Sequence, residues 1–73
     1  MSEDIIGRRI RAYRKLKGYT QRQLAEALGV SLAVVGSVER GTRTPSERLL
    51  EQIASELNIR IDELLPDEQR ENT

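Results

Sequence analysis

The sequence predicts a small all-α protein, and three observations support that prediction. Apolar residues recur at helical spacing along the whole chain of 73 residues, and no stretch alternates apolar and polar side chains as a strand would. Turn and capping residues divide the chain into five short segments. Hydrophobic residues make up 37% of the chain, which is enough for one core, and 73 residues are too few for two domains.

The composition excludes several kinds of function. There is no Cys and no His, so disulfides, thiol nucleophiles and imidazole acid–base chemistry are absent. Asp62 and Glu63 are adjacent, and neighbouring side chains on a helix diverge by about 100°, so they cannot share a substrate or a metal. No run approaches the ~20 apolar residues of a membrane span, and Met1–Gly7 has no signal-peptide pattern. We therefore expect a cytoplasmic, non-enzymatic protein without cofactor, metal or membrane contact.

The first predicted helix runs from about Glu3 to Lys17. Acidic residues in its first turn and basic residues in its last turn suit the helix dipole. Gly18 is expected to end the helix in the left-handed conformation, and the ring of Tyr19 to turn back into the core. The inward face carries Ile6, Ile10 and Tyr13.

The second and third predicted helices are short and lie close together in the chain. Thr20 and Gln23 form a capping box at the start of helix 2, which ends at Gly29. Ser31 is the N-cap of helix 3, which runs to about Arg40 and is ended by Gly41. The residues predicted to face the core are Leu24, Ala25, Leu28, Val30, Val35 and Val38. The residues on the other side of helix 3 are Leu32, Ala33, Gly36 and Ser37.

The fourth predicted helix begins in the segment Thr44-Pro45-Ser46-Glu47, which reads as a capping box at Thr44 with Pro45 in the first helical position. Asn58 is expected to end it in the left-handed conformation. A fifth short helix spans Ile61 to Leu65 and stops before Pro66. Residues 67–73 are a polar tail that is expected to fray. The inward residues are Leu49, Leu50, Ile53, Ala54, Leu57, Ile61, Leu64 and Leu65.

Helices 2 and 3, joined by Gly29-Val30-Ser31, have the outline of a helix-turn-helix. That outline alone fits any small helical bundle, and the order of the surrounding motifs is more specific. The motifs are Thr20-Gln21-Arg22-Gln23-Leu24-Ala25, Leu28-Gly29-Val30-Ser31, Val38-Glu39-Arg40-Gly41, Thr44-Pro45-Ser46 and the segment 59–65. In this combination the chain resembles the Cro/C1-type (XRE-like) helix-turn-helix family of bacterial and phage regulators over about residues 5–65.

The resemblance implies a compact, five-helix, lambda-repressor-like domain over residues 1–66. Such a domain binds double-stranded operator DNA, commonly as a symmetric homodimer, and places helix 3 in the major groove. The function implied is that of a transcriptional regulator, most often a repressor, in a bacterial or phage-infected cytoplasm.

The resemblance also implies roles for single residues. Gln21 matches a glutamine that family members set against a DNA phosphate, and the free N–H groups of a helix N-terminus suit that role. The full set of predicted phosphate contacts is Gln21, Arg22, Arg40, Arg43 and Arg9. Arg14 and Glu39 occupy positions that form an internal ion pair in the family; the alternative is two independent surface charges.

The base-facing positions depart from the family pattern. Of Leu32, Ala33, Gly36 and Ser37, only Ser37 can form a hydrogen bond, so bidentate contacts to guanine or adenine are not available from this set. Two hypotheses remain open. The protein binds DNA through phosphate contacts, thymine-methyl packing and DNA shape, or Leu32, Ala33 and Val34 form a surface that contacts a protein partner.

The net charge of zero conceals a polarity along the chain. Residues 1–45 hold nine basic and four acidic residues, a net charge of +5, and the remainder carries −5. We therefore expect the front of the chain to face a phosphate backbone, with a lower affinity than that of a uniformly basic domain.

Overall fold

The computed structural model describes residues 5–66, and within them the chain forms four α-helices and one 3₁₀ turn, with no strand. The helices are α1 (Ile5–Leu16), α2 (Gln21–Leu28), α3 (Leu32–Arg40) and α4 (Glu47–Leu57). The all-α prediction is confirmed. The expected acidic first turn of helix 1 and the tail at 67–73 lie outside the described residues.

The prediction of a fifth α-helix is wrong, because Ile61–Glu63 forms a single 3₁₀ turn. Arg60 supplies no side-chain cap there. Pro66 follows so closely that a full set of α-helical hydrogen bonds cannot develop. The segment still delivers Leu64 to the core, where its side chain is fully buried.

The core lies between the four helices and consists of the residues predicted to face inward. α3 packs against α1 and α2, and α4 packs against α2 and the 3₁₀ turn. Leu28, Val30 and Leu49 are half-buried at its edge. The fully enclosed members are Ile10, Leu24, Ala25, Val35, Val38, Leu50, Ile53, Ala54, Leu57 and Leu64.

The predicted caps of α2 and α3 are confirmed. The Gln23 N–H donates to Thr20 Oγ1 over 3.0 Å and the Thr20 N–H donates to Gln23 Oε1 over 2.9 Å, a complete capping box. Ser31 Oγ accepts from the Val34 N–H over 3.2 Å. Asn58 is left-handed, with φ of 59°, as predicted for the end of α4.

The predicted start of α4 is two residues too early. The N-cap is Ser46, whose Oγ accepts from the Leu49 N–H over 3.1 Å, and the helix begins at Glu47. Thr44 and Ser46 are both good capping residues, so local preference cannot choose between them. Pro45 lies in the loop before the helix, where it lines a cleft together with Ile6 and Val38.

A glycine that the sequence analysis passed over sets the distance between α1 and α3. A Cβ built on Gly7 would overlap the carbonyl oxygens of Val38 and Glu39. The two backbones can therefore approach this closely only because residue 7 has no side chain. This contact holds the C-terminal end of α3 against α1.

Two tyrosines fasten α1 and the following turn to the C-terminal part of the chain. The Tyr13 hydroxyl donates to Glu63 Oε1 over 2.7 Å, and this hydrogen bond lowers the pKa of the Glu63 carboxyl. The Tyr19 hydroxyl donates to Glu56 Oε2 over 2.6 Å, and the same hydrogen bond raises the pKa of Tyr19. Among residues 5–66, no helix is both long and apolar enough to span a bilayer.

Candidate nucleic-acid interface

α2 and α3 are joined by a tight turn that fixes their relative orientation. Gly29 is left-handed, with φ of 74°, and the Val30 N–H donates back to the Ala25 carbonyl over 3.0 Å. Ala25 is buried where the two helices meet, since a larger side chain would separate them. The pair thus forms a helix-turn-helix built on short, capped helices.

A buried ion pair holds the end of α3 to α1. Arg14 Nε lies 2.5 Å from Glu39 Oε2, and Arg14 Nη2 donates to Glu39 Oε1 over 3.2 Å. Arg14 is 7% exposed and Glu39 is 6% exposed, so the pair is shielded from water. Arg14 Nη1 also donates to the Tyr19 carbonyl over 2.8 Å. The arrangement therefore ties together α1, the turn before α2, and α3.

Gln21 joins the same network, which the sequence analysis did not foresee. Its Nε2 donates to Glu39 Oε1 over 3.0 Å, and its side chain is half-buried. One amide hydrogen is therefore committed to Glu39, and the second remains for another acceptor. The first backbone N–H groups of α2, at Gln21 and Arg22, have no acceptor within the helix. Together these donors form a concentrated positive region at the start of α2.

The outward face of α3 is mostly apolar. Leu32 is 40% exposed, Ala33 is exposed, and Ser37 is half-buried. Val34 does not belong to this face, contrary to the hypothesis of a three-residue contact surface. It lies one turn before the buried Val38 and packs against the core.

The base-facing glycine has an unexpected cover. Gly36 is buried, and the Arg40 side chain covers the position its Cβ would take: outside the adjacent residues and the backbone of α3, only its atoms lie within 4 Å of that point among residues 5–66. Arg40 is itself the last residue of α3 and is exposed. The outward face of α3 therefore carries the guanidinium of Arg40 beside its short side chains.

The remaining predicted arginines divide into two groups. Arg22 and Arg43 are exposed, at the start of α2 and in the loop after α3. Arg9 is half-buried, and its Nη1 donates to the Leu65 carbonyl over 2.5 Å, which anchors the C-terminal segment to α1. In the described part of the chain, no three acidic, His or Cys side chains come together in a group that could hold a metal ion.

The fold and this surface define a helix-turn-helix protein. The helix-turn-helix family model matches residues 10–64, and the chain belongs to that family. This confirms the resemblance on which the site residues were assigned.

Similar proteins are regulators of the same kind. The chain is 54% identical over 68 residues to the uncharacterized HTH-type transcriptional regulator YazB of Bacillus subtilis, covering 93% of this chain and 99% of that one. It is 43% identical over 68 residues to the HTH-type transcriptional regulator SinR of Bacillus subtilis, covering 92% of this chain and 60% of SinR. The chain therefore matches YazB along its whole length and SinR over less than two thirds.

Two solved structures share the fold. The restriction-modification controller protein C.AhdI from Aeromonas hydrophila superposes with a TM-score of 0.82 at 36% identity, over 88% of this chain and 97% of that one. A SinR chain crystallised in complex with DNA superposes with a TM-score of 0.79 at 40% identity, over 84% of this chain and 98% of that one.

Proposed function

We propose that this protein is a DNA-binding transcriptional regulator that docks α3 in the major groove of double-stranded DNA. The observation that carries the proposal is the exposed outward face of α3 beside the donor-rich start of α2. A recognition helix must be solvent-exposed, and the preceding helix must present its N-terminus to the backbone. The crystal structure of SinR in complex with DNA supports DNA as the partner of this fold.

The proposed phosphate contacts surround that helix. The second amide hydrogen of Gln21, the first N–H groups of α2 and the Arg22 guanidinium bind one phosphate region. Arg43 binds another from the loop after α3. Arg9 stays in the set: one N–H of its guanidinium donates to the Leu65 carbonyl, and the other donors remain for a phosphate. Leu32 and Ala33 pack on thymine methyl groups, and Ser37 adds one hydrogen bond.

A salt titration tests DNA binding directly. Fluorescence anisotropy of labelled duplexes, repeated at several salt concentrations, should give a log–log slope of about −0.9 for each phosphate neutralised. Binding that is absent at low salt and micromolar protein would contradict the proposal.

Matched arginine variants locate the contacts. Arg22→Ala and Arg43→Ala should each reduce the salt slope by about one and weaken binding to all sequences alike. Arg60→Ala is the control, because Arg60 is exposed and paired with Asp62 over 2.8 Å in the acidic part of the chain. An equal effect of all three substitutions would exclude a localised interface.

A second candidate function uses the same face. Leu32 is a large apolar side chain that is 40% exposed, which favours contact with a protein partner as an interaction module. Leu32→Asp should then abolish recovery of the partner in a pull-down, while Arg43→Ala leaves it intact. Under the DNA proposal, Arg43→Ala weakens duplex binding, and the two functions are thereby separated.

The proposal includes a homodimer and repression of transcription. A two-fold homodimer would present two copies of α3 about 34 Å apart, one turn of the duplex. The candidate contact surfaces are the segment at Ile61–Glu63 and the loop before α4. Sedimentation velocity at micromolar protein separates monomer from dimer.

A dimer docked across a promoter excludes other proteins from that groove, so the proposed effect is repression, in the cytoplasm of a bacterium.

A further inference from the structure

The outward face of α3 contains one long polar side chain, and it belongs to Arg40. α3 remains helical through Arg40. At about 100° per residue, Arg40 lies about 80° around the helix from Leu32, between Gly36 and Ser37. The residue therefore shares the face that enters the groove, although it stands at the end of the helix.

The Arg40 side chain runs back along that face. Its Nη1 lies 3.0 Å, and its Cζ 3.9 Å, from the point where a Cβ of residue 36 would stand. Side chains on a helix lean toward its N-terminus, and four residues correspond to about 6 Å along the axis. The guanidinium is thus set back by about one turn, toward the middle of the outward face.

Gly36 makes this position possible. A Cβ at residue 36 would stand closer to Nη1 than ordinary van der Waals contact allows, so any side chain there would push the guanidinium away. Apart from the adjacent residues and the backbone of α3, no other atom of residues 5–66 lies within 4 Å of that point. The glycine and the arginine therefore act as a unit, in which the missing side chain makes room for the guanidinium.

The guanidinium also has no competing partner within the part of the chain that the structure describes. No carboxylate pairs with Arg40 and no hydrogen bond occupies it within residues 5–66. A planar group with its donors free can give two parallel hydrogen bonds to guanine O6 and N7. Since Leu32, Ala33 and Gly36 offer no hydrogen bonds, this is the strongest base-reading group on the face.

We infer that Arg40 reads a guanine in the major groove and is the main specificity-determining residue of this protein, with Gly36 as its positioning partner. The inference rests on the proposed DNA binding. It departs from the phosphate role that the family resemblance implies for Arg40. Arg43, in the loop, keeps that phosphate role.

The test combines protein and DNA substitutions. Selection from a pool of random duplexes first defines the wild-type site, which should contain a guanine in each half-site. Replacing that guanine by adenine should weaken wild-type binding by about 5- to 150-fold. For Arg40→Ala, the same replacement should change the dissociation constant by less than about twofold, because the discriminating contact is gone. Arg43→Ala is the control and should retain the full guanine preference.

A second variant keeps the charge. Gly36→Ala displaces the guanidinium without removing it, and residue 36 has no left-handed backbone that an alanine would strain. It should lose the guanine preference, keep the wild-type salt slope, and unfold at the same or a higher temperature.

Three results would overturn the inference. One is a selected site without a guanine, and another is a guanine preference that survives in both Arg40→Ala and Gly36→Ala. A third is uniform weakening by Arg40→Ala on cognate and substituted duplexes, which is the behaviour of a phosphate contact. In each of these cases the wild-type protein still binds DNA. If the wild-type protein enriches no duplex at all, both the proposed function and this inference are wrong.

Discussion

At the scale of single residues, the Glu39 carboxylate links three parts of the fold. It accepts from Arg14 and from Gln21, and so connects the end of α3 to α1 and to the start of α2. A buried carboxylate with these donors is tolerated because they satisfy its oxygens. α3 and the start of α2 are therefore oriented relative to each other by one buried carboxylate.

Removing Glu39 should be costly. Glu39→Ala leaves the buried Arg14 guanidinium without its counter-ion and should lower the free energy of unfolding by about 3 to 5 kcal/mol. Urea denaturation followed by circular dichroism measures it. The control is Asp62→Ala, which breaks the exposed pair with Arg60 and should cost less than about 1 kcal/mol. Similar decreases in the free energy of unfolding of the two variants would show that burial of the ion pair does not determine the loss of stability.

The Tyr13–Glu63 hydrogen bond predicts a pH dependence. It lowers the pKa of Glu63 below its ordinary value of 4.5, so the folded state gains stability above pH 4.5 and loses it as pH falls through the lowered pKa. Tyr13→Phe should raise the pKa of Glu63. The variant should be less stable than the wild type, and this difference should shrink as the pH falls below the pKa of Glu63 in the wild type. Carboxyl NMR titration measures the change. Tyr19→Phe is the control, since its partner is Glu56, and a Glu63 titration that moves equally in both variants would refute the assignment.

At the scale of elements, α3 is positioned from both ends. The Gly29–Ser31 turn fixes its start relative to α2, and the close approach at Gly7 fixes its end relative to α1. Short helices of eight or nine residues are marginal by themselves, so capping and packing supply their stability. The direction of the outward face of α3 therefore depends on contacts made by its opposite side.

Gly7→Ala tests the close approach of α1 to α3, because the substitution should destabilise the protein if the approach exists and stabilise it if it does not. Helix propensity alone would stabilise α1 by about 1 kcal/mol. The new Cβ meets two backbone carbonyls, which cannot rotate away, so we expect a net loss of about 1 to 3 kcal/mol. Thermal and urea unfolding measure it. Ala12→Gly, on an exposed position of the same helix, reports the propensity term alone, and a Gly7→Ala protein that is more stable than the wild type would disprove the close approach.

At the scale of the whole molecule, a basic front and an acidic back sum to zero charge. The proposed phosphate contacts lie in residues 1–45, which carry +5, and α4 with the following segment carries most of the acidic residues. In the proposed DNA complex, the basic part of the chain would attract the phosphate backbone, and the acidic part would limit non-specific adhesion. Overall neutrality is therefore compatible with DNA binding.

Reversing a charge at the back should show this effect. Glu51 is exposed on α4, and Glu51→Lys should increase the affinity for random duplexes at low salt. The gain should disappear at physiological salt, where screening acts over about 8 Å. Anisotropy at two salt concentrations measures it, with Glu51→Gln as an intermediate. A gain that persists at high salt would indicate a direct contact instead of a long-range field.

Much of this architecture could be predicted because local signals agreed with one another. The capping box at Thr20, the left-handed Asn58 and the inward positions of α2 to α4 all follow from short-range chemistry. The start of α4 could not be predicted, because Thr44 and Ser46 are equally good caps by local chemistry. Val34 was misplaced for a similar reason, since its apolar side chain suits either an exposed contact surface or the edge of the core.

The class of fold, the order of the helices and the residues of the core follow from the sequence, because helical periodicity and capping act within a few residues. The remaining features depend on how the helices pack. The tertiary structure brought Gln21 to Glu39, set the backbone of α1 at Gly7 against α3, and laid the Arg40 guanidinium over Gly36. These relations depend on distances and directions in three dimensions, and a linear pattern does not encode whether an arginine extends into solvent or folds back along its own helix.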